Sequence, residues 1–169
     1  AQSVGRRCIE VPVGFKHISA GMAASGAILG GESSGGLTVA GHIPGKDGVY
    51  AASLLVEMVA VTGKKLSALM EQIREQFGTC HMEELSVAFP AERKEALIQQ
   101  IYKEHDLPQM PFDIDHISDL DGCKLYFKNG GWVVIRFSGT EPLLRIFCEM
   151  PTQKDALVVT ELIREYYHI

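Results

Sequence analysis

Arg136-Phe137-Ser138-Gly139-Thr140-Glu141-Pro142-Leu143-Leu144-Arg145 carries a tight turn, Ser-Gly-Thr-Glu-Pro, between two apolar, β-prone runs. The runs extend from Trp132 to Phe137 on one side and from Leu143 to Met150 on the other, so the stretch reads as a β-hairpin. Residues entering and leaving a hairpin turn lie side by side. Arg136 and Arg145 are therefore expected at one end of a sheet, with the hydroxyls of Ser138 and Thr140 between them. Gly139 permits a backbone conformation in which successive N–H groups converge on one point, an anion-binding nest. Two guanidiniums, two hydroxyls and a ring of amide donors suit a tetrahedral phosphate dianion, because Arg offers planar, bidentate bonds where Lys offers a point charge. A bare Ser-Gly-Thr turn would read as an ordinary surface hairpin; the flanking arginines favour phosphate.

Outward from this hairpin, Cys123 to Phe127 and Gly131 to Phe137 read as strands joined at Lys128-Asn129-Gly130, with Asn-Gly as the turn signal. Thr152 caps a final helix through Tyr167, and Thr152 and Asp155 are spaced like a capping box. Upstream, Thr79 to Phe89 reads as an extended segment between two domains, and Pro90 opens a helix over Ala91 to His105. Leu107 to Ile117, with Pro108 and Pro111 and no period, reads as a loop or a short edge strand. The second half is thus strand, helix, three strands and a helix, an α+β unit.

The first half reads as α/β. A short strand is expected around Ile9 to Val13, a helix over His17 to Ser25, a buried strand at Ala27 to Gly30 and another strand at Leu37 to Ala40. Asp47 is a helix N-cap for Val49 to Val61, which is apolar nearly all round and is expected to be buried on most sides. A further helix runs from Ser67 to Phe77. Glycines close both helices, Gly63 the first and Gly78 the second.

A hydrophobic fraction of 46% and a charged fraction of 22% describe a soluble globular chain. The net charge of −5, without a basic stripe or an aromatic platform, argues against nucleic acid as a partner. No apolar run is long enough to span a membrane and no signal peptide is visible, so the expected location is cytoplasmic. Cys8, Cys80, Cys123 and Cys148 form no CxxC or zinc pattern, which fits reduced thiols. The histidines likewise lack metal-ligand spacing along the chain.

Two more loops hold chemistry. Gly31-Glu32-Ser33-Ser34-Gly35-Gly36 sets glycines on both sides of a carboxylate and two hydroxyls. Glu32 and Ser34 can exchange hydrogen bonds with vicinal sugar hydroxyls, although the same run also reads as a polar turn. Lys16 follows a Gly-aromatic pair at a strand end and by itself reads as a solvated lysine.

Taken in order, Val13-Gly14-Phe15-Lys16, Gly31-Glu32-Ser33-Ser34-Gly35-Gly36, Lys46-Asp47-Gly48 and the Arg136 to Arg145 hairpin resemble the α-D-phosphohexomutases, the phosphoglucomutase/phosphomannomutase family. The resemblance covers essentially the whole chain. It implies a partial third domain with a mixed sheet over residues 1–79. A fourth domain over 80–169 follows, an antiparallel sheet with helices on one face in the TBP-like manner. By the same resemblance, Glu32, Ser34 and Lys16 serve the sugar, and Arg136, Ser138, Gly139, Thr140 and Arg145 hold its phosphate. The implied reaction interconverts hexose 1-phosphate and hexose 6-phosphate through a bisphosphate intermediate, with Mg²⁺ and hexose 1,6-bisphosphate as cofactors of the whole enzyme.

Ser33 departs from the family, where many members have a second Glu. No Thr-Ala-Ser-His-Asn-Pro-like serine loop and no Asp-Gly-Asp-x-Asp-Arg metal loop occurs in these residues. The chain is therefore expected to bind weakly and to catalyse nothing alone. No catalytic residue and no metal ligand is assigned in it. Its expected partners are a hexose phosphate and the N-terminal domains of the same polypeptide, with self-association as a further expectation. The rival readings are a stand-alone phosphate- or sugar-binding module and a structural interaction domain. Within the enzyme class the rival is a phosphoglucosamine mutase, against which Gly35-Gly36 weighs mildly.

Overall fold

The computed structural model describes residues 2–139 and 141–169. These form two compact units, 1–77 and 78–169.

In the first unit, α1 (Phe15–Ser25) ends at Gly26, α2 (Gly48–Thr62) at Gly63, and α3 (Leu66–Phe77) completes the set. Gly26 and Gly63 both adopt the left-handed C-cap conformation. Asp47 caps α2 as the sequence predicts, its carboxylate accepting from the N–H groups of Val49 and Tyr50 at 3.0 Å each. A two-stranded antiparallel ribbon joins β1 (Leu29–Gly31) to β2 (Leu37–Val39), so the glycine-rich loop is the tip of a hairpin.

Three expectations for this unit are corrected. Ile9 to Val13 forms no strand and joins neither sheet. The Ala27 to Gly30 strand is not buried, since Ile28 and Leu29 stand in solvent. Nor is α2 buried: Val49, Leu55, Val56 and Val61 are exposed, and none of its residues is buried. An all-apolar helix signals burial only when a second layer covers it, and within residues 1–77 no such layer forms.

The second unit is a five-stranded antiparallel sheet in the order β3-β7-β6-β5-β4. Its strands are β3 (His81–Ala88), β4 (Ile114–Ser118), β5 (Cys123–Phe127), β6 (Trp132–Phe137) and β7 (Leu143–Met150). Leu107 to Ile117 thus resolves into a loop and an edge strand, and the unit has four strands between its helices rather than three. Alternation is clean. Leu125, Val133, Ile135, Leu144, Ile146 and Cys148 point to one face, where Leu97, Ile101, Val159 and Ile163 cover them. The covering residues come from α5 (Gln153–Tyr166) and from the helical stretch after Pro90.

That stretch is less regular than its apolar period suggests. It passes from a 3₁₀ turn (Ala91–Arg93) through α4 (Lys94–Ile98) into a π-helical segment (Gln99–Lys103). The final helix carries the predicted cap: Thr152 Oγ1 accepts from Asp155 N–H at 3.1 Å and donates to the Asp155 carboxylate at 2.7 Å.

Candidate functional site

On the helix-free face of the second unit, Arg136 and Arg145 are direct cross-strand partners, and Ser86 of β3 pairs with Arg145 on its other side. Like charges placed opposite one another destabilise a sheet by about 0.2–1 kcal/mol. Both side chains are also incompletely satisfied. The Nε atoms of Arg136 and Arg145 are buried without a hydrogen-bond partner. Each arginine has a long ion pair, Arg136 Nε to Asp121 at 3.9 Å and Arg145 Nη2 to Glu141 at 4.0 Å, neither within hydrogen-bond distance. A buried charged donor without a hydrogen-bond acceptor is destabilising unless one arrives. An oxyanion supplies that acceptor.

The strand ends under the pair are tied by hydrogen bonds and ring contacts. Ser138 N–H donates to Leu143 C=O at 2.8 Å and closes the hairpin, and Phe89 N–H donates to Pro142 C=O at 3.3 Å. Tyr102, placed by the π-helical segment, accepts from Phe137 N–H at 3.0 Å. The Phe137 ring meets Phe89 and Tyr102 edge-on at 5.6 and 5.3 Å. Burial pushes the Tyr102 phenol up, so it is a neutral acceptor at physiological pH.

Ser138 is buried at the base of the turn. Gly139 lies at the tip outside the left-handed region, with open space where a Cβ would be. An N–H nest resting on a left-handed glycine is therefore not what shapes the tip. Thr140, also named by the sequence, lies outside the described residues.

In the first unit, Glu32 begins the hairpin loop, its N–H donating to Gly36 C=O at 2.8 Å and its C=O accepting from Gly35 N–H at 3.0 Å. The carboxylate accepts from Lys46 Nζ at 3.2 Å. Gly36 makes this approach feasible, because a Cβ there would stand 2.4 Å from Lys46 Cδ. Lys46 also sits 5.8 Å from the Phe15 ring. Ser34 is exposed beside the loop, and Lys16 is exposed on the first turn of α1. The cation brought to Glu32 is thus Lys46, fourteen residues away, rather than Lys16. Sequence reasoning missed it; the signal available was its place in Lys46-Asp47-Gly48.

His42 packs flat on Tyr50 at 3.9 Å and meets the Asp47 carboxylate at 3.0 Å. Asp47 is held below the ordinary carboxylate value, first by the N–H of Tyr50 and then by His42.

Comparison with known proteins follows the same division. The profile for phosphoglucomutase/phosphomannomutase alpha/beta/alpha domain III matches residues 1–77, and that for the phosphoglucomutase/phosphomannomutase C-terminal domain matches residues 84–165. The chain belongs to the phosphoglucomutase/phosphomannomutase family. A phosphoglucomutase/phosphomannomutase of Thermococcus kodakarensis is 31% identical over 96% of this chain and 33% of its own length. The phosphoglucosamine mutase of Rippkaea orientalis is 30% identical over 92% of this chain and 29% of its own. A crystal structure of a family protein from Burkholderia thailandensis superposes with a TM-score of 0.70 at 20% identity, over 92% of this chain and 31% of that one. That likeness shows the fold. The chain spans about a third of the length of these relatives.

Proposed function

We propose that this chain supplies the substrate-binding part of a phosphohexomutase, which moves a phosphoryl group between the 1- and 6-positions of a hexose through a bisphosphate. The observation that carries this reading is the opposed pair Arg136 and Arg145, each with a buried Nε lacking an acceptor. The arginines, with Ser138, Gly139 and Thr140, grip the phosphate that is not reacting, and Glu32 and Ser34 read sugar hydroxyls. Lys46 orients the Glu32 carboxylate, and Lys16 lies ready for the sugar or its phosphate. Gripping one phosphate while the other reacts is positional catalysis, where much of the rate of phosphoryl transfer originates.

In the reaction proposed for the whole enzyme, Mg²⁺ supplies charge neutralisation at the transferring phosphoryl group and hexose 1,6-bisphosphate primes the cycle. Magnesium requires a shell of oxygen ligands. Among the described residues the one side-chain cluster that could hold a metal joins His105, Asp119 and Cys123, a donor set with sulfur and nitrogen. It does not fit Mg²⁺, and no magnesium ligand is assigned to this chain.

The test is an amide-resolved NMR titration of the chain with glucose 1-phosphate, mannose 1-phosphate and glucosamine 1-phosphate, with inorganic phosphate as reference. Inorganic phosphate is expected to shift resonances around Arg136, Ser138 and Arg145, and the sugar phosphates those around Glu32 and Ser34 as well. Arg136→Ala should weaken binding of all four by about 1.5–3 kcal/mol, the worth of a charge-assisted bond. Shifts confined to residues outside both loops would overturn the assignment.

A further inference from the structure

The ends of three elements meet at one corner of the second unit. His105 follows the π-helical segment, Asp119 follows β4, and Cys123 begins β5. One donor atom from each lies within 4.8 Å of the other two, and His105 Nε2 is 2.9 Å from Asp119 Oδ1. From this geometry we infer that His105, Asp119 and Cys123 form a binding site for one thiophilic divalent cation, with Zn²⁺ as its type ligand.

The donor set selects the metal class. An imidazole, a carboxylate and a thiolate together suit zinc and disfavour magnesium and calcium, which require oxygen ligands. Zinc–ligand bonds of about 2.0–2.3 Å draw three such donors together by small side-chain rotations, well within the freedom of an exposed Asp. As the sulfur–zinc bond forms, the Cys123 thiol releases its proton to solvent. Asp119 and the thiolate then balance the two positive charges. The aspect of the site is also suitable. Cys123 is fully buried, whereas the side chains of His105 and Asp119 are 33% and 59% exposed, so an ion enters from solvent and keeps a fourth position open to water.

Each ligand is held from behind. His105 has a left-handed backbone, φ 48°, in a turn fixed through its neighbour Asp106. The Asp106 carboxylate accepts from Tyr166 Oη at 2.6 Å and Gln100 Nε2 at 2.7 Å, and its C=O accepts from Tyr167 Oη at 2.7 Å. The turn between Asp119 and Cys123 lies flat on β6. A Cβ on Gly122, at φ 94°, would stand 2.5 Å from Ile135 O.

The test uses the full chain carrying Cys8→Ser and Cys80→Ser, which removes the exposed thiols. Co²⁺ is the spectroscopic probe. One equivalent is expected to bind with a sulfur-to-cobalt charge-transfer band and intense visible bands of tetrahedral type; Zn²⁺ should bleach both, and excess Mg²⁺ should not. Cys123→Ser should abolish the charge-transfer band. Because that substitution alters the core, His105→Asn is the second variant, Asn being tolerant of a left-handed backbone. It should weaken Zn²⁺ binding about tenfold or more in calorimetry, with the thermal midpoint of the metal-free chain unchanged. Absence of the charge-transfer band, its persistence in Cys123→Ser, or Zn²⁺ affinity unaltered by His105→Asn would each overturn the site.

Discussion

Arg136 and Arg145 are placed against the interests of the sheet that holds them. They oppose each other in register, and each keeps a buried Nε without an acceptor. The strain is electrostatic: cross-strand repulsion of about 0.2–1 kcal/mol, plus about 1–3 kcal/mol for a desolvated donor left unmade. Arg136→Ala should therefore leave the thermal midpoint of the second unit at or above that of the parent in phosphate-free buffer. It should also abolish the rise that inorganic phosphate gives the parent. A drop in midpoint without phosphate would mean that the arginine is a structural residue. This pair was legible in the sequence because a hairpin of known turn length fixes which residues face one another. Lys46 was not, since its contact with Glu32 depends on how the segment between β2 and α2 folds back on the loop and on the absence of a side chain at Gly36. The grouping of His105, Asp119 and Cys123 was equally hidden: no spacing rule joins a turn after a helix to the start of a strand.

At the level of elements, period and turn chemistry located the strands β5 and β7 and both caps, Asp47 and Thr152, because these are local decisions. They did not show that the helix after Pro90 changes to π-helical geometry over Gln99–Lys103, since Leu97, Ile98, Ile101 and Tyr102 keep a helical spacing through the change. The change has a consequence at the hairpin, because it brings the Tyr102 hydroxyl to the N–H of Phe137, next to Arg136. Tyr102→Phe leaves that N–H without its partner while retaining the ring contact. We expect a loss of about 1–3 kcal/mol in the second unit, measured by denaturant unfolding. Phosphate affinity should fall as well, because the strand end carrying Arg136 loses its tether. An unchanged unfolding midpoint would show that water replaces the phenol and that Tyr102 does not position the hairpin.

For the whole chain, the distribution of buried surface sets the order in which its parts open. The core cluster, from Phe89 through Leu125, Ile135 and Ile146 to Ile163 and Tyr167, lies entirely in residues 78–169. In residues 1–77 only Ile18 among the described hydrophobic side chains is buried, while Val49, Val56 and Val61 are 70–80% exposed. Full burial of such a side chain contributes about 1.5–3 kcal/mol, so the first unit lacks most of the term that would oppose its chain entropy. Its ribbon of two three-residue strands cannot supply the difference. The sequence reading erred here for the same reason: the apolar character of α2 was visible, but a covering layer is a property of neighbours and not of the helix. Residues 1–77 are thus expected to open with a smaller free energy than residues 78–169. Hydrogen exchange by mass spectrometry tests this directly. Amides of α2 and α3 should exchange well before those of β6 and β7, and brief proteolysis should leave a resistant piece beginning near Gly78. Equal protection across both units would show that the first is held by contacts beyond its own residues, as self-association through the exposed face of α2 would provide.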